Sequence, residues 1–369
     1  MLNYIIRRVL YAIPTVFGVL VLTYFLFFGT VSREAIARQN LSSRAPTQAQ
    51  IKEWLQDHGY GEPTMEAMQE DPFGRFLLGI GIKPKEDIAE PAEAPPAPAE
   101  GAATEEVQNY GTFEPSLAAR LLELKRSTVD VLLLNFGKSD TTNEDIWERI
   151  QKGVPASFAV GSLIFVASLI VSLTFAVINA YFRGTYVDAF GTFLSVLLLS
   201  IVYVVYVIGL QFLLGKVLHY GPIAGFQTGP GMIKFLILPV VIGVISSIGA
   251  EIRLFRTFLL DEMNQDYVRT ARAKGVDEPR VLRLHVLKNA LIPVITSTVA
   301  AIPGLILGSL ILENFFGIPG LGSYLVDAIN SQDFAVVRAM VFLGTLLYIV
   351  GLILTDILYA LVDPRVRIE

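Results

Sequence analysis

Six stretches of this chain are too long and too apolar to end inside a water-soluble core: Val9–Phe28, Ala156–Tyr181, Ala189–Leu214, Phe235–Leu254, Leu291–Leu312 and Ala339–Tyr359. A bilayer's hydrocarbon core, about 30 Å thick, takes roughly 20 apolar residues wound as a helix. Within it every backbone N–H and C=O needs a partner, which a helix supplies from its own segment. The runs therefore predict an all-α polytopic membrane protein with six transmembrane helices. Composition agrees, because only 17% of the residues are charged, against about 25% in soluble domains. Arg7 and Arg8 precede the first run, as in a secretory signal peptide. That run exceeds the usual apolar region of a signal, and no small-x-small cleavage site follows near Phe28–Arg33, so residues 1–29 read as a retained anchor.

Short loops rich in Lys and Arg stay on the cytoplasmic side. Arg7 and Arg8 lie before the first helix, Arg183 between the second and third, and Arg365 and Arg367 after the sixth. Between the fourth and fifth lie Arg269, Arg272, Lys274, Arg280, Arg283 and Lys288. All fall on one side if six helices alternate, which places both termini in the cytoplasm and residues 30–150 outside. That outer segment is acidic, whereas the rest of the chain is net basic. Its centre, residues 86–107, is a low-complexity Ala/Pro/Glu sequence with too little apolar surface to offset ordering entropy, and it reads as a disordered linker. Thr47–His58 and Ser116–Leu133 on either side are amphipathic and fit small helices. The remainder, 151–369, forms a core of five transmembrane helices.

Several function classes drop out. The chain has no cysteine, which removes disulfides and thiolate chemistry. Its three histidines, His58, His219 and His285, are too scattered for a metal cluster. No basic, aromatic-interleaved surface suggests nucleic-acid binding. No GxxxxGK[ST] loop is present to cradle a phosphate, so this chain carries no ATP-hydrolysing site of that kind.

The most informative segment is the cytoplasmic loop 258–290. Asp261–Lys274 favours helix, and Gly275 suits the left-handed position that ends one. Asp277 then stands where it can cap a second helix, with Pro279 tolerated in its first turn. Val281, Leu282, His285, Val286 and Asn289 share helical spacing. The prediction is a helix–turn–helix outside the bilayer.

This stretch resembles the cytoplasmic signature loop of ABC importer permeases, whose general form is Glu-Ala-Ala, three residues, then Gly. Here the positions read Arg269-Thr270-Ala271, with Gly275 matching. The departure from Glu-Ala is itself typical of the dipeptide/oligopeptide/nickel permease branch, as are DYVRTARAKG and the following HVLKNALIP. MLNYIIRRVLYAIPTVFGV, the approach to the second helix (Asn135–Ser139 and Ile150–Phe158), ENFFGIPGLGSYLVDAINSQDF (Glu313–Phe334) and LVDPRVR (Leu361–Arg367) resemble the same branch. The likeness spans nearly the whole chain except about 30–110.

The resemblance implies a type I ABC importer permease fold in the bacterial plasma (inner) membrane, and a transport subunit instead of an enzyme. It implies a second homologous permease, two ABC ATPase subunits that bind ATP and Mg, and an extracytoplasmic substrate-binding protein delivering peptides. No cofactor is expected in this chain. Coupling to the ATPase subunit falls to Arg269, Thr270, Ala271, Arg272, Ala273, Lys274, Gly275 and His285. Ala271, Ala273 and Gly275 would permit close approach, while Arg272 and Lys274 would make contact. The bland alternative for the basic residues is topology and anionic lipid alone.

Other residues admit two readings. Tyr203, Tyr206 and Gln211 would suit a polar translocation path, or packing. Glu251, Arg253, Arg256 and Asp356 carry charge at membrane depth, where snorkelling or a mutual ion pair is the expectation. Pro293, Pro303, Gly304 and Gly308 predict an irregular fifth helix. Competing functions are import of nickel chelates or another small solute by the same machinery, and an ion-coupled secondary transporter. The latter calls for inverted repeats that the sequence does not display.

Overall fold

The computed structural model describes residues 2–30, 32–41, 46–85, 115–227, 229, 231–299 and 301–362. The Ala/Pro/Glu stretch 86–107 lies outside them. Among the described residues the chain is helical throughout, apart from one isolated antiparallel bridge between Lys138 and Asp145. It forms two compact units. One comprises Met1–Val16, Gly137–Ser139 and Asn143–Glu369, and the other Phe17–Phe136 and Asp140–Thr142. The first helix, α1 (Leu2–Thr30), is continuous across that division.

The smaller unit contains α2 (Arg33–Asn40), α3 (Gln48–Asp57), α4 (Met65–Glu70), α5 (Pro72–Gly79) and α6 (Leu117–Lys125). Each starts on a side chain that accepts from the first turn's orphan N–H groups: Ser32, Thr47, Thr64, Asp71 and Ser116. Thr47 and Gln50 form a full capping box. The expected small helices at Thr47–His58 and Ser116–Leu133 are present as α3 and α6. Met68, Leu77 and Ala118 make one apolar cluster. Arg33 and Glu123 form a buried ion pair, and the Tyr60 hydroxyl donates to the Asp140 carboxylate at 2.8 Å. The Glu62 carboxylate accepts from both the backbone N–H and the hydroxyl of Ser116, which anchors the start of α6.

The larger unit holds α7 (Ile146–Tyr181), α8 (Tyr186–Leu199), α9 (Tyr203–Leu210), α10 (Met232–Met263), α11 (Asp266–Ala273) and α12 (Glu278–Val281). It continues with α13 (Lys288–Val299), α14 (Ile302–Leu307), α15 (Leu310–Phe316), α16 (Leu321–Asn330) and α17 (Phe334–Val362). Among the described residues three helices are long and apolar enough to cross a membrane singly: α7, α10 and, from Phe334 to Ile357, α17. α1 contributes a shorter apolar stretch, Leu10–Leu26. α7 and α10 pack where small residues let their backbones approach. A Cβ on Gly243 would fall 2.5 Å from the Ile164 side chain, the close approach expected of small residues between membrane helices.

Two predicted spans are broken. The third bends by 92° between Tyr186–Leu199 and Tyr203–Val217. No proline marks the site. The α8 terminus is instead pressed on Gly249, where a Cβ would meet the Ser195 carbonyl at 2.9 Å. The Tyr206 hydroxyl takes up the Leu198 carbonyl at 2.7 Å. The fifth predicted span bends by 40° between Glu278–Val299 and Ile302–Phe316, at the prolines and glycines that predicted irregularity. Pro303 occupies the first turn of α14, and Gly308 holds φ +73°, a conformation open to glycine but costly to residues with a Cβ.

Candidate functional site

α10 does not stop near Leu254, as the hydropathy predicts, but runs on to Met263. Two helices follow, α11 and then α12, and they form the expected hairpin. Its turn is a Schellman motif: the Gly275 N–H donates to the Arg272 carbonyl at 2.9 Å and the Val276 N–H to that of Ala271 at 3.3 Å. Gly275 sits at φ +78°, as the sequence predicts. Asp277 stands at the N-cap position but makes no capping hydrogen bond. The turn is fastened by Arg272, whose guanidinium donates to both Glu278 carboxylate oxygens at 3.0 and 2.6 Å. The Glu278 carboxylate also raises the Arg272 pKa, against the opposing effect of partial burial. In the first turn of α11, burial and the Glu262 carboxylate together raise the pKa of the Tyr267 hydroxyl.

One face of the hairpin is sealed against the bundle. Val268, Ala271, Val281, Leu282 and Val286 pack with Phe255 and Leu259 of α10 and Ala176 and Ala180 of α7. The opposite face exposes Arg269, Thr270, Arg272, Ala273, Lys274 and Gly275, while His285 is half-buried. Ala271 is buried, because it lies one turn after Val268 on the same apolar face. The second hairpin helix does not end before the fifth apolar stretch: Glu278–Val299 is one run of helix, with a wider π-helical turn at Leu282–Leu287.

The candidate path residues turn inward to the chain itself. Tyr203 shares a hydrogen bond with the Ser309 hydroxyl at 3.0 Å. Tyr206 is buried and bonded to Leu198, and the Gln211 amide donates to the carbonyls of Ile223 and Phe315 at 2.7 and 3.1 Å. Their polar atoms thus serve the breaks around α9 and α15. Two of the four charged residues at membrane depth, Arg256 and Asp356, form ion pairs, each with a partner from another helix and neither with another of the four. Arg256 grips Asp188 of α8 with two bonds of 2.8 Å, and Arg8 of α1 lies 3.0 Å from Asp356 of α17. Glu251 accepts from Ser168 at 3.2 Å.

A further constellation escaped the sequence reading. Glu313 is wholly buried. Its carboxylate accepts from the N–H groups of Gly322 at 2.7 Å, Ser309 at 3.2 Å and Ser323 at 3.3 Å. Gly308, Gly320 and Gly322 cradle it, since a Cβ on any of them would fall within 2.8 Å of a carboxylate oxygen. Two of the donors belong to the first turn of α16, where a negative charge also meets the helix dipole. Nearby, Ser157 of α7 accepts the Leu321 N–H at 2.7 Å. ENFFGIPGLGS therefore encodes a carboxylate and the small residues that let the backbone close on it. Among the described residues no group of His, Asp and Glu is placed to hold a metal ion.

Residues 146–368 match the family described as binding-protein-dependent transport system inner membrane component. A putative peptide transport system permease protein of Brucella abortus is 36% identical over 240 residues, covering 64% of this chain and 76% of that protein. The oligopeptide transport system permease protein AppB of Bacillus subtilis is 34% identical over 268 residues, 71% of this chain and 84% of its own. A dipeptide transport system permease protein of Lactococcus lactis is 33% identical over 237 residues, 63% of this chain and 76% of its own. The matched region holds the helices α7–α17, the basic hairpin and the Glu313 cradle, and the chain belongs to the family of inner membrane components of binding-protein-dependent transport systems.

Proposed function

We propose that this chain is one of two permease subunits of an ATP-driven importer and that its cargo is peptides delivered by an extracytoplasmic binding protein. The observation that carries the reading is the hairpin: one face sealed on α7 and α10, the other presenting Arg269, Arg272 and Lys274. Such an element receives a push from outside the bilayer without opening the bundle's own core. Closure of two ATP-bound subunits presses on it, and because its second helix continues into the fifth span, the displacement enters the membrane directly. The bundle then passes from inward-facing to outward-facing and accepts cargo from the binding protein. Peptide as cargo is supported by the relatives, which are peptide, oligopeptide and dipeptide transport system permease proteins. Six spans with both termini on the hairpin's side are part of the same proposal, with α1 and the two bent pairs counted as spans.

The test is the reconstituted complex with all subunits. Arg269→Glu combined with Lys274→Glu leaves the Arg272–Glu278 fastening intact. It lowers ATP hydrolysis stimulated by the loaded binding protein, and peptide uptake with it, by about tenfold or more, the scale of losing interfacial charge pairs. A complex that assembles and performs like wild type would remove the hairpin from the coupling path. Uptake of a labelled tripeptide that excess nickel chelate abolishes but excess peptide does not would overturn the cargo.

A further inference from the structure

In the smaller unit, α5 is apolar over more of its circumference than its neighbours cover. Gly74 and Leu77 are buried, and Leu77 joins Met68 of α4 and Ala118 of α6 in one apolar cluster. That face fastens the helix to its unit. At about 100° per residue, Phe76 and Ile80 fall on an adjoining flank, and both are exposed, at 59% and 57%. Phe73 stacks on Phe76 with ring centroids 6.2 Å apart. Leu117, the residue before Ala118, is exposed as well. A single exposed apolar side chain needs no explanation, but aromatic and aliphatic groups one turn apart form a patch that marks an interaction. Arg75, on a different flank, is exposed too. From Pro72 to Lys85 the sequence holds three basic residues, Arg75, Lys83 and Lys85, and no acidic one, inside an otherwise acidic segment. Asp71, just ahead of them, is paired with Lys125 at 2.6 Å.

The same unit brings this flank close to a second apolar surface. α1 from Phe17 onward belongs to the unit, and Leu22, Phe25 and Leu26 are exposed there, as side chains facing lipid are. The Tyr24 hydroxyl donates to the Arg120 carbonyl of α6 at 3.1 Å. That bond sets α6 at the level where the apolar stretch of α1, Leu10–Leu26, comes to its end. α5 shares a core with α6, and packed helices lie about 8–10 Å apart, so α5 is near the same boundary. An apolar flank bearing aromatic rings, with basic residues around it, is the pattern of a helix lying in a membrane interface. Lysine stems run along apolar surface while their ammonium groups meet the head groups. We propose that α5 lies on the leaflet at the Thr30 end of α1, with Phe76 and Ile80 at the boundary between head groups and acyl chains and Arg75, Lys83 and Lys85 at anionic head groups. The proposal rests on the reading of α1 as a membrane span. A unit attached through α1 alone would be free to swivel, and the second attachment fixes its orientation to the bilayer.

The chain has no cysteine, so single nitroxide labels can report on it within the complete transporter complex, once the partner subunits are cleared of reactive cysteines. The complex is placed in nanodiscs containing phosphatidylglycerol. Labels go on Phe76→Cys and Ile80→Cys, each leaving the other side chain in place, on Arg75→Cys, and on Leu22→Cys in α1. Power saturation is expected to show oxygen relaxing the labels at positions 76, 80 and 22 more strongly than a water-soluble nickel chelate does, with the ranking reversed at position 75. Lys83→Glu combined with Lys85→Glu is expected to shift positions 76 and 80 towards the nickel chelate and to leave position 22 unchanged. Nickel ahead of oxygen at positions 76 and 80, with position 22 still in lipid, would overturn the docking and leave the span standing. Nickel ahead at position 22 would overturn the span and the docking with it. Labels at positions 76 and 80 that are immobile and shielded from both agents would put a protein partner on this face in place of lipid. Unchanged ratios in the double lysine variant would overturn the contact with anionic head groups.

Discussion

Gly275 turns the hairpin at φ +78°, with nothing within 4 Å of where a Cβ would stand. The cost of a side chain there is thus conformational and free of steric overlap. Left-handed backbone costs an ordinary L-residue roughly 1–2 kcal/mol and asparagine less. Gly275→Val is expected to cut binding-protein-stimulated ATP hydrolysis and uptake in the reconstituted complex while membrane insertion is spared. Gly275→Asn should retain most of both, and a normal valine variant would show that the turn tolerates strain. Glu313 is the opposite case, where contacts decide. In Glu313→Gln one oxygen becomes an NH₂ facing backbone donors, so at least one buried N–H loses its acceptor, at a cost of about 1–3 kcal/mol. Its thermal midpoint in detergent should fall below that of Glu313→Asp only if charge outweighs reach, and both should fall below wild type. A wild-type midpoint for the glutamine variant would refute the cradle. Gly275 was legible in the sequence because a lone glycine ends a helix-favouring run. Glu313 was not, because its donors come from Ser309, Gly322 and Ser323, and nothing in a linear pattern says that backbone N–H groups will converge on one carboxylate.

At the scale of elements, hydropathy located the apolar runs of α7, α10 and α17 but was blind to bends. An apolar stretch reads the same whether it is straight or folded back, since the criterion is composition and length. Ala189–Leu214 gives no proline to announce the break after Leu199. What makes it is tertiary: Gly249 admits the end of α8, and Tyr206 satisfies a carbonyl that the break exposes. The fifth stretch was readable because Pro303 and Gly308 are local. The bend has a measurable consequence. Phe190 and Phe212 are exposed, and in one straight helix their Cα atoms would lie about 33 Å apart. Since the native chain has no cysteine, Phe190→Cys with Phe212→Cys can be spin-labelled without background. Pulsed electron resonance in lipid nanodiscs should give a clearly shorter distance than the straight value. Tyr206→Phe, which leaves the Leu198 carbonyl without its hydroxyl, should broaden the distribution. A sharp peak at the straight-helix distance in the parent would eliminate the bend.

For the whole molecule, charge asymmetry was the strongest guide, and it yields a topology open to direct test. Reporter fusions at residue 100 and after Glu369 are expected to lie on opposite sides of the membrane. Finding both on one side would sink the six-span arrangement. Residues 86–107 have the composition of a solvated linker, so deleting them should leave assembly and peptide uptake near wild type. A strong loss of either would make the segment a docking element. The smaller unit was only partly legible. Thr47–His58 and Ser116–Leu133 are long enough to show a helical period, whereas α4, at six residues, is too short for any periodicity to declare itself.

The continuous helix from Glu278 to Val299 joins a contact surface to a break. A helical rod of that length spans about 30 Å, and the chain bends by 40° where it ends, ahead of Pro303. Pivoted near its hairpin end, such a rod magnifies angle into distance: a tilt of about 5° carries the far end through roughly 3 Å. That is near the width of a water molecule, enough to make or break a seal between packed side chains. The chain thus has the geometry of an oar, with its short blade among the basic residues of the hairpin and its long loom along the fifth apolar stretch.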